Sequence, residues 1–329
     1  MEAVLFQGPG KPLLASKVAV PTPGPGQLLL AVKACGVCRT DLHLFDGEVA
    51  VNALPRILGH QIVATVEAVG PGVEDPPPLG SRVGVPWLGW TCGSCRFCKK
   101  GRENLCEEAR FTGKDLDGGY AAYTVADRRF CLPLPDRYGD LEVAPLLCAG
   151  LIGYRALRFC GEAERIGLYG FGASAHIIAQ VIAQEGREAY AFTRAGDDAA
   201  QRLALELGCR WAGASTQRPP KPLEAAILFA PVGPLVVEAL QSVEPAGTVV
   251  CAGIHMSDIP AFPYRLLWEE RAVRSVANLT REDGHAFLEL AGRLQIETRV
   301  NPYPLADLER ALEDLRRGAF SGSAVIAIA

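Results

Sequence analysis

The chain has 329 residues, of which 49% are hydrophobic and 21% charged, with a formal net charge of −4. That length suffices for two separately cored domains. The lack of a basic stripe or an aromatic-interleaved Lys/Arg run excludes nucleic acid as a partner, and with no run of eighteen apolar residues no membrane span is expected.

In chain order, the start reads M-E-A-V-L-F-Q-G-P-G. Residues 4–9 look like a protease-tag cleavage site, but residues 3–6 are read as a native first strand. Short β-like runs follow at 27–34, 62–69 and 82–85, separated by Pro/Gly clusters at 21–26 and 71–80. This is the texture of a β-rich domain with irregular loops. From about residue 149 the pattern changes to helix 153–159, strand 165–169, helix 175–184, strand 189–192, helix 199–207, strand 225–229, helix 234–243 and strand 248–251. Strands alternating with helices imply a parallel sheet covered on both faces. A helix at 279–294 follows, then β character at 298–304 and 324–328 around a helix at 305–317. The expected fold is therefore α/β: a β-rich domain of residues 1–148 and 295–329, and a doubly wound parallel-sheet domain of residues 149–294.

The eleven cysteines are an odd count, which argues against complete disulfide pairing. No secretory leader is legible and a chain of this size needs no staples, so a cytoplasmic location is expected. Cys35, Cys131, Cys160, Cys209 and Cys251 lie in mostly apolar contexts and are read as core.

The other six sit in ligand-like spacings. Cys92, Cys95, Cys98 and Cys106 form C-x2-C-x2-C-x7-C, which can fold back into one closed S4 cage, the usual structural zinc site. The bacterial iron–sulfur pattern has a three-residue last gap followed by Pro; here the gap is seven and Glu107 follows, which disfavours iron. Cys38 in C-R-T-D-L-H, His60 in G-H-Q and Cys148 in C-A-G are the ligand types of an open, catalytic zinc. Taken singly, each would ordinarily be plain core. The neighbourhood argues otherwise: Asp41 can hold the far nitrogen of His60, Thr40 offers a hydroxyl to share a proton with an alkoxide, and His43 can carry that proton to solvent.

Gly170-Phe171-Gly172-Ala173-Ser174-Ala175 is G-x-G-x-x-A after a strand and before a helix. The first Gly permits the turn, the second lets backbone approach a pyrophosphate, and the small third residue lets helix pack on strand. The acid that would hold an NAD ribose should end the next strand, where Thr193 and Arg194 stand instead. A missing carboxylate beside an Arg favours NADP(H) over NAD(H). Gly253 is a further candidate coenzyme contact.

Through C-G-V-C-R-T-D-L-H (35–43), G-H-Q (59–61), C-G-S-C-R-F-C…C (92–106), D-G-G-Y-A-A-Y (117–123), C-A-G (148–150) and G-F-G-A-S-A-H (170–176), the chain resembles the zinc-dependent medium-chain alcohol dehydrogenases over essentially its whole length. The resemblance implies a GroES-like domain completed by the tail, a Rossmann domain, a substrate cleft between them, and a homodimer or homotetramer. It implies two zinc ions per chain, the catalytic one on Cys38, His60 and Cys148 with Asp41 behind, a Thr40–His43 relay through the nicotinamide ribose hydroxyl, and Trp87 in the substrate pocket. The resemblance also places Ile152 against the nicotinamide, and three positions depart from the family pattern: Gln61 where Glu is frequent, Ile152 where Thr is common, and Ser323 where many members have a pyrophosphate-binding Arg.

The expected activity is reversible hydride transfer between an alcohol, or its aldehyde or ketone, and a nicotinamide coenzyme, with zinc stabilising the alkoxide. The rivals are a reductase or dehydrogenase of the same superfamily acting on polyols, amino-alcohols or enals, and a non-catalytic zinc and NADP(H) redox sensor. A sensor would be expected to have a broken ligand set or relay, and both are intact here.

Overall fold

A computed structural model describes residues 1–328. The chain divides into two compact units, Met1–Cys148 with Asn278–Arg293 and Thr298–Ala329, and Ala149–Ala277 with Leu294–Glu297.

The first unit begins with β1 (Glu2–Phe6), β2 (Leu14–Lys17), β3 (Gln27–Val37), α1 (Arg39–Phe45), β4 (Arg56–Ile57), β5 (Ile62–Val69), β6 (Arg82–Val85), β7 (Leu88–Trp90), β8 (Arg110–Phe111), β9 (Tyr123–Asp127), β10 (Leu132–Pro133) and α2 (Asp140–Val143). The tag-like N-terminus is built into the fold: β1 pairs with β2 and β4, and Ala3, Val4 and Phe6 are buried. The long strand β3 is the spine. It pairs antiparallel with β5 and β9, and its inward residues Leu28, Leu30, Val32 and Cys35 sit in one apolar cluster with Ile62, Ala64, Val66 and Tyr120. Removing these side chains from water is the main stabilising term for such a sheet.

The second unit carries α3 (Ala149–Arg158), β11 (Arg165–Tyr169), α4 (Ala173–Gln184), β12 (Glu188–Thr193), α5 (Asp198–Glu206), β13 (Trp211–Ala214), β14 (Leu223–Leu228), α6 (Pro234–Leu240), β15 (Val243–Cys251) and β16 (Ala272–Ser275). Its six strands are all parallel in the order β13-β12-β11-β14-β15-β16. That is the doubly wound Rossmann order, which reverses direction between β11 and β14. Tyr169 stacks on Phe192 with ring centroids 4.1 Å apart, and Phe192 meets Trp211 edge-on, so aromatic packing crosses three neighbouring strands.

The chain then returns to the first unit through α7 (Arg281–Arg293), β17 (Val300–Pro304), α8 (Leu308–Arg317) and β18 (Ser323–Ala327). β18 hydrogen-bonds antiparallel to β3 and parallel to β17, so the tail extends the sheet begun near the N-terminus. Residues 278–293, grouped above with the parallel-sheet domain, also pack with this unit. Arg281 donates through its backbone N (3.0 Å) and Nε (3.2 Å) to the buried Glu103 carboxylate, and Tyr138 Oη donates to Ala291 O.

Three local expectations change. The helix expected over 234–243 stops at Leu240, because Val243 is buried and already pairs with Leu223 as the first residue of β15. The helix expected over 305–317 begins with a 3₁₀ turn at Leu305–Asp307 before α8, which ends at Gly318 with φ 66°. Strands β13 and β16, absent from the sequence reading, are four residues each and, apart from Gly213, half-buried or exposed, so they lack the apolar run that marked the inner strands.

Candidate metal centres and coenzyme turn

The three remote ligand candidates meet in the first unit. Cys38 stands between the spine strand and α1, His60 leads into β5, and Cys148 follows the 3₁₀ turn at Ala144–Leu147. Cys38 Sγ lies 3.2 Å from His60 Nε2 and 3.8 Å from Cys148 Sγ, and all three ligand atoms lie within 4.8 Å of one another. Tetrahedral zinc with Zn–S near 2.3 Å and Zn–N near 2.0–2.1 Å separates its ligand atoms by roughly 3.5–3.8 Å. The donor set therefore fits zinc, and three donors leave the fourth vertex to a non-protein ligand.

The local sequence explains the arrangement. In C-R-T-D, Asp41 is the third residue of α1, and its Oδ2 accepts from Cys38 N at 2.9 Å, capping the helix start. Its Oδ1 lies 3.3 Å from His60 Nδ1, with both side chains fully buried. One carboxylate thus starts the helix that follows Cys38 and turns the His60 ring so that Nε2 faces the sulfurs. Burial opposes charge on His60, but Asp41 and the Cys38 sulfur outweigh it and lift its pKa from 6.5 to about 10. Metal displaces such protons when it binds.

Thr40 and His43 lie on α1 on either side of Asp41, both half-buried. His43 Nδ1 contacts the Glu48 carboxylate. Trp87 meets His60 edge-on at 5.0 Å and stacks on Phe111 at 5.1 Å with planes 15° apart. Sequence reasoning named neither Glu48 nor Phe111. Glu48 becomes visible only through the turn that follows α1, and Phe111 only through the pairing of β7 with β8. Gln61 is buried and has no partner for Nε2 among the described residues. It packs against Gly36, where a Cβ would lie 2.7 Å from the Gln61 amide.

The second cluster lies in the loop joining β7 to β8. Cys92 Sγ is 3.9 Å from Cys98 Sγ and 3.6 Å from Cys106 Sγ, and the four sulfurs form one candidate metal group. Those separations again match a tetrahedral S4 edge of about 3.8 Å. Gly93 and Gly101 turn the chain with φ 72° and 65°. Backbone N–H groups of Ser94 and Cys95 favour the Cys92 thiolate and pull its pKa down to about 6. All eleven cysteines are free, with no disulfide formed.

In the second unit, Gly170 (φ 89°) follows β11, and a Cβ there would lie 2.8 Å from Ala230 N, so glycine is required. Gly172 is the N-cap of α4, and a Cβ there would meet nothing within 4 Å. Backbone at this point is open to an approaching ligand, and the N–H groups of Ala173, Ser174 and Ala175 begin the helix. Ala175 is fully buried. Thr193 and Gly253 sit at or just past the carboxyl ends of β12 and β15, on the same sheet edge as the Gly170 turn. The Thr193 hydroxyl accepts from Gln201 Nε2 at 2.9 Å and is 3.0 Å from Arg194 O, whereas Arg194 itself is exposed. Ile152 is half-buried on α3, which packs on α4 so closely that a Cβ at Gly153 would lie 2.4 Å from Ile178. Ser323 is buried at the start of β18, where its N–H donates to Arg299 O at 2.8 Å.

Residues 24–136 match the alcohol dehydrogenase GroES-like domain. A probable alcohol dehydrogenase of Mycobacterium tuberculosis (strain CDC 1551 / Oshkosh) is 47% identical over 324 residues, covering 96% of this chain and 93% of that protein. An alcohol dehydrogenase of Geobacillus stearothermophilus is 32% identical over 337 residues, covering 99% and 98%. The structure of a cobalt- and zinc-bound thermostable alcohol dehydrogenase from Pyrobaculum aerophilum aligns with a TM-score of 0.88 at 26% identity, covering 100% of this chain and 99% of that one.

Proposed function

The chain belongs to the zinc-dependent medium-chain alcohol dehydrogenases, and from this we propose that Cys38, His60 and Cys148 hold its catalytic metal and that the turn at Gly170 holds its coenzyme. The protein is an oxidoreductase that transfers hydride between an alcohol, or its aldehyde or ketone, and a nicotinamide coenzyme. The observation that carries the site assignment is the convergence of two sulfurs and an imidazole nitrogen, from three distant parts of the chain, within 4.8 Å. Zinc bound there would supply Lewis acidity to the substrate oxygen.

The residues around it have separable tasks. Asp41 fixes the His60 tautomer and ring plane. Trp87, wedged between His60 and Phe111, gives the pocket an apolar wall. Thr40 takes up the proton of the alcohol and His43 carries it to solvent. The Asp41→Asn enzyme is expected to hold zinc about 10–100-fold less tightly. Competition with a chromogenic chelator measures this, and unchanged affinity would remove Asp41 from its role.

Cys92, Cys95, Cys98 and Cys106 hold a second zinc that braces the loop between β7 and β8, its four donors leaving no vertex for substrate. NADP(H) is the preferred coenzyme. The support is the exposed Arg194 following Thr193, with no carboxylate at the end of β12. Arg194→Ala is expected to raise KM for NADPH about 10-fold while leaving that for NADH nearly unchanged, since one charge-assisted phosphate bond is worth roughly 1.5–3 kcal/mol. Equal effects on both coenzymes would favour NAD(H).

The active form is a homodimer or homotetramer, supported by the unpaired outer edge of β16 and the exposed Ile254, Ile259, Tyr264 and Trp268 before it. Eleven free cysteines suit the reducing cytoplasm, and no helix among the described residues is long and apolar enough to cross a membrane. The function is tested by metal analysis paired with NADH and NADPH oxidation over a range of aldehydes. Turnover of none of them by zinc-loaded protein would refute it.

A further inference from the structure

We propose that Glu48 is a positioning residue for proton exit: its carboxylate holds Nδ1–H of His43 and so keeps Nε2 as the ring nitrogen that accepts the departing proton. The inference rests on the reading of Thr40 and His43 as the proton relay and adds a member to it.

Its basis is the turn after α1. Asp46 ends the helix, with its N–H on Leu42 O at 2.8 Å. Gly47 follows with φ 79°, and its N–H reaches Leu44 O at 3.2 Å. A left-handed glycine one residue past a helix reverses the chain direction. Val49 N then donates back to His43 O at 3.1 Å, closing the turn with Glu48 inside it. A Cβ at position 47 would lie 2.6 Å from Pro9 Cγ, so glycine is needed here for space as well as for φ. The sequence L-H-L-F-D-G-E therefore returns a carboxylate to a histidine five residues earlier. Further along, Asn52 donates to Asp115, and Arg56 Nη1 donates to Asp117 at 2.8 Å, which tethers the rest of the loop.

The other nearby carboxylates are committed. Asp41 is buried on His60 and Cys38 N. Asp46 pairs with Arg316 of α8, the helix packed on α1, and Arg316 also holds Glu313. Glu48 contacts His43 Nδ1, and at 58% side-chain exposure, against 18% for His43, it stands on the solvent side of the pair.

The chemistry balances without a further reactant. A neutral imidazole carries one N–H, and the bond made by one nitrogen fixes the role of the other. With Nδ1–H on Glu48, the proton from the alcohol enters at Nε2. The resulting imidazolium faces a carboxylate, and loss of the Nε2 proton to water restores the starting tautomer. Glu48 is never protonated in this cycle. In the reverse direction the same imidazolium returns the proton.

The test is nitrogen-15 NMR of the imidazole rings, resolvable because the chain has only five histidines, with His43→Gln assigning the signal. The wild-type His43 ring is expected as the Nδ1–H tautomer, and in Glu48→Ala that form should fall to the minority. Glu48→Asp should retain most of it. In alcohol oxidation Glu48→Ala should lower kcat about 10-fold with KM little changed, a fraction of the 10²–10⁴-fold that general acid–base transfer supplies. An unchanged tautomer ratio in Glu48→Ala overturns the proposal. So does an unchanged kcat, and His43→Gln then tells two failures apart. If His43→Gln lowers kcat, the relay stands without Glu48; if it also leaves kcat unchanged, the relay itself is wrong.

Discussion

His60→Ala or Cys148→Ala is expected to reduce kcat/KM for alcohol oxidation by about 10³-fold or more, and in Cys148→Ala the thermal unfolding midpoint should move little. Lewis-acid stabilisation by a metal is worth several kcal/mol. At 1.36 kcal/mol per factor of ten, losing about 4 kcal/mol costs roughly three orders of magnitude in rate. The effect on the fold is smaller because the sheet around the site is held elsewhere. Leu28, Leu30, Ile62 and Ala64 are fully buried in a cluster that does not depend on either ligand. His60→Ala carries an extra penalty, since it leaves the Asp41 carboxylate, already fully buried, with Cys38 N as its main remaining partner. Cys148→Ala is therefore the cleaner variant. Stopped turnover, a retained circular-dichroism spectrum and an unmoved melting curve together are the expected result; full activity in either variant would refute the ligand assignment.

Cys95→Ser should behave in the opposite way. The loop between β7 and β8 has no strand and two single-turn 3₁₀ helices at Cys98–Lys100 and Glu103–Leu105, so its order depends on what binds the four sulfurs. The same loop supplies Glu103, whose buried carboxylate accepts from Arg281 at the start of α7. Loosening the cage thus also loosens the hold on that helix. A loss of about 3 kcal/mol, within the range for removal of a metal site, corresponds to a fall in melting temperature of roughly 6–12 °C at 2–4 °C per kcal/mol. Activity per folded molecule, measured well below the midpoint, should persist. Unaltered melting in Cys95→Ser would contradict the structural role.

What was legible in the sequence followed from chemistry that tolerates few residue types. Closed and open zinc sites draw largely on thiolate and imidazole, so C-x2-C-x2-C-x7-C and the remote Cys38, His60 and Cys148 stood out as candidate ligands before any geometry was known. The turn after β11 needs glycine, and Gly170 at φ 89° against Ala230 shows why. The parallel sheet was visible in the alternation of apolar runs with helical periodicity. Less was legible where a residue acts through tertiary placement. Glu48 is an ordinary acidic loop residue until Gly47 reverses the chain onto His43. Phe111 stacks on Trp87 only because β8 returns beside β7 after the cysteine loop. The edge strand β16 has an exposed, unremarkable sequence, A-V-R-S, and is a strand because β15 offers it a ladder. The end of the helix at Leu240 was equally hidden: P-L-V-V-E-A-L-Q-S-V keeps helical spacing through Val243, and the ladder with Leu223 takes that last valine.

Zinc content per chain, measured by mass spectrometry on purified wild type and on Cys148→Ala, is the most direct test of the two-site reading. Wild type should hold about two zinc ions and Cys148→Ala about one, the remaining ion belonging to the four-cysteine loop, with catalysis lost and melting preserved. Two ions retained in Cys148→Ala with full activity would mean that the reacting oxygen is polarised somewhere other than at Cys38, His60 and Cys148.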